Sequence, residues 1–145
     1  MQIISDIMTR EVRSVSPQET IMRAAQLMDE LNVGSLPVCD GNKLIGMVTD
    51  RDITVRATAA GIAPDQANVQ DVMSQQVRWC FDNQSVDEVM EQMSDSQIRR
   101  VPVLDHENHQ LIGIVSLGDL ATKHSAQVDR TLENISVPSQ PDLSH

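Results

Sequence analysis

The sequence predicts an α+β fold in which one β-α-β-β-α unit occurs twice, with the two copies packed about a pseudo-two-fold axis. The first observation is that residues 6–9 (DIMT) recur as residues 71–74 (DVMS), 65 positions later. The second is that 33–38 (VGSLPV) recurs as 98–103 (IRRVPV), and 44–52 (LIGMVTDRD) recurs as 111–119 (LIGIVSLGD). The third is that the two-residue insertion between these matches falls among residues typical of turns, which leaves both flanking strands intact.

The elements of the first copy follow from local patterns. The apolar run 12–15, ended by Ser16-Pro17, predicts a short strand. From 20 to 31 the apolar residues fall at helical spacing, which predicts a helix with one buried face. The remaining predicted elements are two strands of a hairpin, 36–39 and 44–49, and a second helix over about 50–60 that stops near Gly61.

The second copy has the same order of elements. Ser85 and Glu88 have the spacing of a capping box and predict the start of a helix over 85–94. The other predicted elements are strands 77–81, 101–104 and 111–116 and a helix over 117–123. The predicted domain limits are 1–63 for the first motif, 64–70 for a linker, 71–124 for the second motif, and 125–145 for a C-terminal extension and flexible tail.

Composition restricts the class of partner. The chain of 145 residues has 11 Lys and Arg against 21 Asp and Glu, a net charge of −10. This balance argues against nucleic acid or an anionic membrane surface as a partner, since both need a basic stripe. An anionic small molecule can bind only where basic residues gather locally. With eight Met, one Phe, one Trp and no Tyr, the core must be aliphatic.

Two cysteines and the absence of targeting signals indicate the compartment. Cys39 and Cys80 each lie in an apolar run without metal-ligand spacing, which is typical of buried thiols in a reducing compartment. The N-terminus lacks a signal-peptide pattern, and no apolar run approaches the roughly 18–20 residues that cross a bilayer. We therefore expect a cytoplasmic protein.

The residues that could bind a ligand lie where a strand passes into a helix. In each copy a buried strand ends in a hydroxyl residue, Thr49 or Ser116, with an acid three positions on, Asp52 or Asp119. A helix start favours an anion, because its N–H groups are unpaired and its dipole is positive. The acid could accept two hydroxyl hydrogen bonds from a ribose. The alternative is a capping box with a purely structural role. The repetition of the same surroundings favours the ligand.

Taken together, these motifs resemble a tandem pair of cystathionine-β-synthase (CBS) domains, the Bateman module. The resemblance covers about 1–124, and it extends to small stand-alone bacterial CBS-pair proteins, including the hypoxic-response type. It implies an interlocked pair of motifs that commonly dimerises into a flat disc. It also implies an adenosine-containing ligand in the cleft between the copies: AMP, ADP, ATP, NAD or S-adenosylmethionine.

The resemblance also implies roles for individual residues. Asp52 and Asp119 would bind ribose hydroxyls, and Thr49 and Ser116 would contact the phosphate or ribose. Apolar side chains would form walls around the adenine, although ordinary core packing is the alternative for all of them. These side chains are Met47, Ile114, Val12, Val77, Val33 and Ile98.

Basic residues distinguish the two copies. Arg99 and Arg100 lie where family members often place phosphate-neutralising groups, and a guanidinium suits that task; a solvated basic pair is the alternative. The first copy carries Gly34 and Ser35 at these positions, so the two half-sites are not equivalent. Arg51, in place of Gly118, could add charge to one site or merely lie on a helix surface.

The leading prediction is therefore a non-catalytic sensor of an adenine nucleotide, read by an unknown effector protein and forming a homodimer. No catalytic Ser/His/Asp or Cys/His set is recognisable, and glycine-rich phosphate motifs are absent. The alternative is an oligomeric structural or interaction protein with degenerate clefts, in one form stabilised by metal. Nucleotide hydrolysis is the third reading, without an identifiable base. His106, Glu107 and His109 could form a metal site, but they are more typical of a polar loop.

Overall fold

The computed structural model describes residues 2–96 and 99–123, which fall into two compact units. A continuous unit consists of residues 13–77. A discontinuous unit consists of residues 2–12 together with 78–96 and 99–123. Both units mix helices and strands, which confirms the predicted α+β class.

The continuous unit contains one antiparallel hairpin and three helices. The hairpin pairs β1 with β2 and has a register shift between Val38 and Cys39. The bounds are α1 Ile21–Leu31, β1 Ser35–Asp40, β2 Lys43–Thr49, α2 Asp50–Ile53, a π-helical turn Thr54–Thr58, and α3 Val69–Val72.

The helix predicted over 20–31 is confirmed by α1. Its start is set by Thr20, whose hydroxyl accepts a hydrogen bond from the Arg23 amide at 3.2 Å. Its end is set by Asn32, which adopts the left-handed conformation at φ 56°. The sequence pattern predicts a buried face of Ile21, Ala24, Ala25, Met28 and Leu31. Ile21, Ala24 and Met28 are buried as expected, but Leu27 is buried instead of Ala25, which is exposed, and Leu31 is only half-buried.

The discontinuous unit contains a three-stranded sheet of order β3-β4-β5. β3 runs parallel to β4, and β4 runs antiparallel to β5, as predicted for the second hairpin. The bounds are a 3-10 turn Ile4–Asp6, β3 Cys80–Phe81, α4 Val86–Ser96, β4 Arg100–Leu104, β5 Leu111–Ser116, and α5 Leu117–Lys123.

The first strand of each copy is shorter than predicted. In place of a strand over 12–15, Val15 makes a single parallel bridge to Val38. Exposed Arg13 and Ser14 precede it, and Pro17 has no N–H with which to continue a ladder. The strand predicted over 77–81 is reduced to Cys80–Phe81.

Two details of the predicted helices also differ. The helix expected over 50–60 is α2 followed by the π-helical turn, which ends before Gly61. At the start of α4, the Ser85 hydroxyl accepts the Glu88 amide at 3.2 Å, as predicted. The Glu88 carboxylate, however, accepts a hydrogen bond from the Gln84 side chain beside it, where we expected it to bind the Ser85 amide.

The segment predicted as a linker, 64–70, is fixed to the continuous unit. Ala67 and Val69 are buried in its core. The Ile21 amide donates to the Ala67 carbonyl at 3.0 Å, and the Val69 amide donates to the Glu19 carbonyl at 2.8 Å. The connection is therefore part of the packed structure around α1.

The two sequence repeats exchange one segment each: residues 2–12 of the first repeat belong to the discontinuous unit, and residues 71–77 of the second repeat belong to the continuous unit. Thr9, from the first repeat, pairs with Ile114 in β5, while Ser74, from the second repeat, pairs with Met47 in β2. The backbone bonds are 2.8 and 2.9 Å in both pairs. The compact units therefore do not follow the linear limits 1–63 and 71–124, because each unit is completed by a segment of the other repeat.

Two glycines allow this exchange. A Cβ at Gly46 would lie 2.6 Å from the Ser74 carbonyl oxygen, and one at Gly113 would lie 2.9 Å from the Thr9 carbonyl oxygen. Only a residue without a side chain lets the two backbones approach so closely. The same structural need explains why both repeats carry glycine at this position.

Helices long and apolar enough to cross a bilayer do not occur in the part of the chain that the structure describes.

Candidate functional site

In the continuous unit, the candidate site lies where β2 passes into α2. The Thr49 hydroxyl accepts the Asp52 amide, and the Asp52 carboxylate accepts the Thr49 amide, both at 3.0 Å. These reciprocal bonds form a capping box. They also hold the Asp52 carboxylate next to the C-terminal end of β2, where its side chain is still 17% exposed.

The discontinuous unit repeats this arrangement where β5 passes into α5. The Ser116 amide donates to the Asp119 carboxylate at 2.9 Å, and the Asp119 amide donates to the Ser116 hydroxyl at 3.2 Å. A third group takes part here, because the Thr9 hydroxyl donates to Asp119 Oδ1 at 3.2 Å. The exchanged segment thus reaches the acid of the candidate site.

Asp52 has a different neighbour. Arg56, in the π-helical turn, places Nε 3.9 Å from Asp52 Oδ1. Its Nη1 donates to the carbonyl oxygens of Val72 and Met73 at 3.3 and 3.4 Å. Arg56 therefore connects the acid with the exchanged segment of the continuous unit, and its side chain remains 55% exposed.

Arg99 and Arg100 lie beside the start of α5. The Arg99 carbonyl accepts the Leu117 amide at 3.2 Å, and Arg100 is opposite Ser116 in the sheet register. Both arginines are half-buried. The structure therefore brings two cationic residues next to the Ser116 and Asp119 pair.

The same backbone positions in the continuous unit carry no charge. The Gly34 carbonyl accepts the Asp50 amide at 3.0 Å, and Ser35 is opposite Thr49. Arg51 is exposed on α2, next to Asp52 in the chain. The predicted difference between the two half-sites is therefore present in the local structure.

The candidate apolar wall is divided between the two units. Val33 packs against the core of the continuous unit, which supports the packing alternative for that residue. Met47 and Ile114 are half-buried and occupy matching positions in β2 and β5, where each pairs with the exchanged segment. Val12 and Val77 are half-buried at the ends of the segments that join the units, and Ile98 lies outside the described residues.

By unit, the predicted site residues form two sets. The continuous unit holds Met47, Thr49, Arg51, Asp52, Val33 and Val77. The discontinuous unit holds Ile114, Ser116, Asp119, Val12, Arg99 and Arg100.

Sequence reasoning missed Thr9 and Arg56. A signal for Thr9 existed, because the repeats place a hydroxyl residue, Thr9 or Ser74, directly after matching apolar pairs. For Arg56 no such signal existed, since its contacts with the carbonyls of Val72 and Met73 depend on the π-helical turn.

Away from these positions, a His–Asp pair connects the β4–β5 turn with the end of β3. Nδ1 of His106 lies 2.8 Å from Asp82 Oδ1, and the His106 amide donates to the same oxygen at 3.0 Å. The hydrogen bond to Asp82 raises the pKa of His106. Burial by itself would raise the pKa of Asp82, but the bonds from His106 outweigh it and lower that pKa.

The structure also bears on the reactivity of the two cysteines and on metal binding. Cys39 and Cys80 are free thiols and buried, as predicted; burial raises both pKa values, that of Cys80 to about 12 with a contribution from Asp82. Over residues 2–96 and 99–123, the structure brings no three His, Cys, Asp or Glu side chains together as a metal site would need. His124 and His145 lie outside the described residues.

Comparison with known proteins gives consistent results. The family model described as the CBS domain matches residues 4–57 and 69–125. The CBS domain-containing protein YhcV of Bacillus subtilis is 43% identical over 94% of this chain and 96% of its own. Hypoxic response protein 1 of Mycobacterium tuberculosis is 39% identical over 83% of this chain and 84% of its own.

Two solved structures are informative. Hypoxic Response Protein I with two coordinated zinc ions matches at TM-score 0.76 and 38% identity, over 84% of this chain and 98% of that one. The CBS domain pair of protein MJ0100, in complex with 5′-methylthioadenosine and S-adenosyl-L-methionine, matches at TM-score 0.71 and 28% identity. That match covers 84% of this chain and 94% of the other.

Proposed function

This chain belongs to the CBS-domain family as a CBS-pair regulatory module, and we propose that it senses an adenine nucleotide of the AMP, ADP, ATP or NAD type. The observation that carries the proposal is the carboxylate held by reciprocal hydrogen bonds at a strand–helix junction, present once in each unit. A carboxylate fixed in this way can accept ribose hydroxyls without reorganising on binding. The MJ0100 pair, which holds two adenosine-containing ligands, supports that ligand class.

The ribose would be held by Asp119 in the discontinuous unit and by Asp52 in the continuous unit. Thr9 already donates its hydroxyl to Asp119, which is the type of bond that a ribose hydroxyl makes. Ser116 and Thr49 would contact the ribose or the first phosphate. Each site in this proposal combines segments of both sequence repeats within one unit, since Thr9 and Asp119 come from different repeats.

Phosphate binding would favour the discontinuous unit. Arg99 and Arg100 flank the start of α5, and guanidinium groups form paired bonds with phosphate oxygens. The continuous unit has Gly34 and Ser35 there, so its phosphate would depend on Arg51 and the half-exposed Arg56. We therefore expect the two sites to differ in affinity for charged nucleotides.

Regulation would follow from the contact between Thr9 and Asp119. A ligand that binds Asp119 either adds to the Thr9 hydrogen bond or replaces it, so the position of the exchanged segment depends on occupancy. A ligand with different affinities for these two states shifts their populations, which a partner can detect. An effector protein, or a second copy in a homodimer, would read this change.

The test is calorimetric and thermal-shift titration of the protein with AMP, ADP, ATP, NAD, NADH and S-adenosylmethionine. Asp119→Asn keeps an oxygen that can accept the Ser116 amide but removes the charge. We expect it to weaken nucleotide binding by about tenfold or more, the usual loss for a hydrogen bond to a charged group. Asp52→Asn tests the continuous unit in the same way.

The matched control is Asp71→Asn. Asp71 is the acid of a third capping box, where it accepts the Asn68 amide at 2.9 Å, and no site role is assigned to it. It should leave nucleotide affinity unchanged. Equal losses in Asp71→Asn and Asp119→Asn would mean that the site assignment is wrong and that the effect is one of stability.

The second candidate function is an oligomeric interaction protein with degenerate clefts, in one form stabilised by metal. The observation favouring it is Hypoxic Response Protein I, whose structure holds two coordinated zinc ions. Zinc is therefore included as a separate condition. Stabilisation by zinc, together with no response to any nucleotide at millimolar concentration, would favour this candidate over the sensor.

A further inference from the structure

The first residue of α2 differs in charge from the first residue of α5. Asp50 begins α2 directly after Thr49, and Leu117 holds the matching position after Ser116. Leu117 belongs to the core of the discontinuous unit and is 6% exposed, whereas Asp50 is half-buried. The strand–helix junction of the continuous unit therefore carries one acid, Asp50, that its counterpart lacks.

The Asp50 carboxylate occupies a backbone amide that a phosphate would otherwise contact. Its Oδ1 accepts a hydrogen bond from the Arg51 amide at 2.8 Å. The amides on either side also have acceptors: the Asp50 amide donates to the Gly34 carbonyl, and the Asp52 amide donates to the Thr49 hydroxyl, both at 3.0 Å. The first three amides of α2 are thus bonded within the protein, and a phosphate at this place would have to replace one of these bonds.

The charges at this junction also disfavour a phosphate. Asp50 and Asp52 place two carboxylates in the first turn of α2, and both would repel an anionic group on a ligand. Arg56 lies beside Asp52, but its guanidinium already donates to two backbone carbonyls of the exchanged segment. Arg51 is exposed, so water and salt screen its charge.

We propose that the site of the continuous unit binds a nucleoside without a 5′-phosphate, and that Asp50 is the residue that excludes the phosphate. Asp52 would still accept the ribose hydroxyls, because a neutral sugar is not repelled. In the discontinuous unit Leu117 adds no charge, and Arg99 and Arg100 supply two cations, so a phosphorylated nucleotide would bind there. The inference rests on the proposed function, since it assigns different ligands to the two proposed sites.

The experiment compares adenosine with AMP in two single-site variants, by isothermal titration calorimetry of the full chain. Asp119→Asn leaves the site of the continuous unit intact, and Asp52→Asn leaves the site of the discontinuous unit intact. We expect Asp119→Asn to bind adenosine about fivefold more tightly than AMP, the effect of one like charge about 4 Å away in a water-like dielectric. Asp52→Asn should show the opposite preference.

Substitutions of Asp50 in the Asp119→Asn chain test its role directly. Asp50→Asn keeps an oxygen that can accept the Arg51 amide but removes the charge, so it should tighten AMP binding by about fivefold and leave adenosine binding unchanged. Asp50→Glu keeps the charge and should keep the preference for adenosine. The control Asp40→Asn removes an exposed acid at the opposite end of β1 from Ser35 and should leave both affinities unchanged.

Three results would count against the inference. Equal binding of AMP and adenosine by the Asp119→Asn chain would overturn it and leave the sensor proposal standing. An equal gain in AMP affinity in Asp50→Asn and Asp40→Asn would mean that the general acidity of the protein, and not Asp50, repels the phosphate. Binding of neither ligand by the unmodified chain at millimolar concentration would overturn the proposed function together with this inference.

Discussion

Asp52 in the continuous unit and Asp119 in the discontinuous unit hold the same position in the same capping motif, yet their neighbours differ. Asp119 accepts a hydrogen bond from the hydroxyl of Thr9 in the exchanged segment, and Arg99 and Arg100 lie nearby. Asp52 lies near Arg56, which comes from the π-helical turn directly after α2. The comparison teaches that the duplicated backbone fixes where the acid lies, while substitutions at neighbouring positions decide which charges a ligand would meet.

The largest expected effect concerns the close backbone approach that both units share. A Cβ at Gly46 meets a backbone oxygen at 2.6 Å, whereas one at Gly113 first meets the flexible Met8 sulfur at 2.7 Å. We expect Gly46→Ala to lower the free energy of unfolding by about 2–3 kcal/mol and Gly113→Ala by about 1–2 kcal/mol. Urea unfolding followed by circular dichroism measures both changes.

Gly118→Ala is the control for these substitutions. Its Cβ would make an ordinary 3.5 Å contact with the Ser116 hydroxyl, and alanine favours a helix. It should therefore raise the free energy of unfolding, by about 0.5–1 kcal/mol. If Gly113→Ala proves more harmful than Gly46→Ala, the ranking of the two approaches is wrong.

The next effect tests the difference in charge between the units. The double variant Arg99→Ala/Arg100→Ala should weaken AMP or ATP binding by about tenfold, because charged hydrogen bonds to phosphate are lost. Adenosine, which has no phosphate, should bind as before. Isothermal titration calorimetry with the two ligands separates these cases, and an equal loss for adenosine would argue against phosphate binding by this pair.

A smaller effect is expected for the group that is specific to the continuous unit. Arg56→Met keeps the apolar stem but loses long bonds to the carbonyls of Val72 and Met73. Because the side chain is more than half exposed, we expect a loss of only about 0.5–1 kcal/mol in the free energy of unfolding. Arg23→Met, at an exposed position of α1, should change stability less. A larger loss there would mean that the bonds of Arg56 to Val72 and Met73 do not stabilise the fold.

The smallest expected effect is the pH dependence of stability that arises at the β4–β5 turn, where His106 is bonded to Asp82. Because the pKa of His106 is raised in the folded protein, protonated His106 stabilises the fold at pH values below the ordinary histidine pKa. This contribution is lost as the pH rises past the raised pKa. Because the pKa of Asp82 is lowered, its ionised carboxylate stabilises the fold at pH values above the ordinary aspartate pKa, and this stabilisation is lost in acid. The pair therefore stabilises most between about pH 4 and pH 6.5.

Melting temperatures at pH 5.5 and pH 8.5 check this prediction. The unmodified chain should lose stability between these values, and His106→Gln should lose less. His109→Asn, chosen because Asn tolerates a left-handed backbone, should behave like the unmodified chain. Trp79 fluorescence reports on the discontinuous unit, so a change seen only by circular dichroism would place the effect elsewhere.

Local elements of this fold could be predicted because their signals are local. The start of α1 follows from Thr20 and from the spacing of Ile21, Ala24 and Met28. Both hairpins follow from apolar strands around turn residues. The capping boxes at Thr49 and Ser116 could likewise be predicted from a hydroxyl residue and an acid three positions apart. At Ser85 the same spacing predicted a box of which only the hydroxyl half forms.

The partners of each segment could not be predicted in the same way. The apolar pair Ile7-Met8 indicates burial, but its pattern does not reveal that Thr9 pairs with the strand of the other repeat. For the same reason the contact of Thr9 with Asp119 was missed. The reach of Arg56 depends on a π-helical turn, for which sequence periodicity carries no signal.

The exchange of segments has a consequence for the order of folding on the ribosome. The continuous unit is complete once residue 77 has been made, whereas Thr9 precedes its partner Asp119 by 110 positions. At roughly 5–20 residues per second, the first segment waits on the order of 5–20 s with Ile4, Ile7 and Met8 exposed. Protease digestion of arrested nascent chains should therefore find 13–77 protected while residues 2–12 are still cleaved, so that a chaperone would meet this N-terminal segment first.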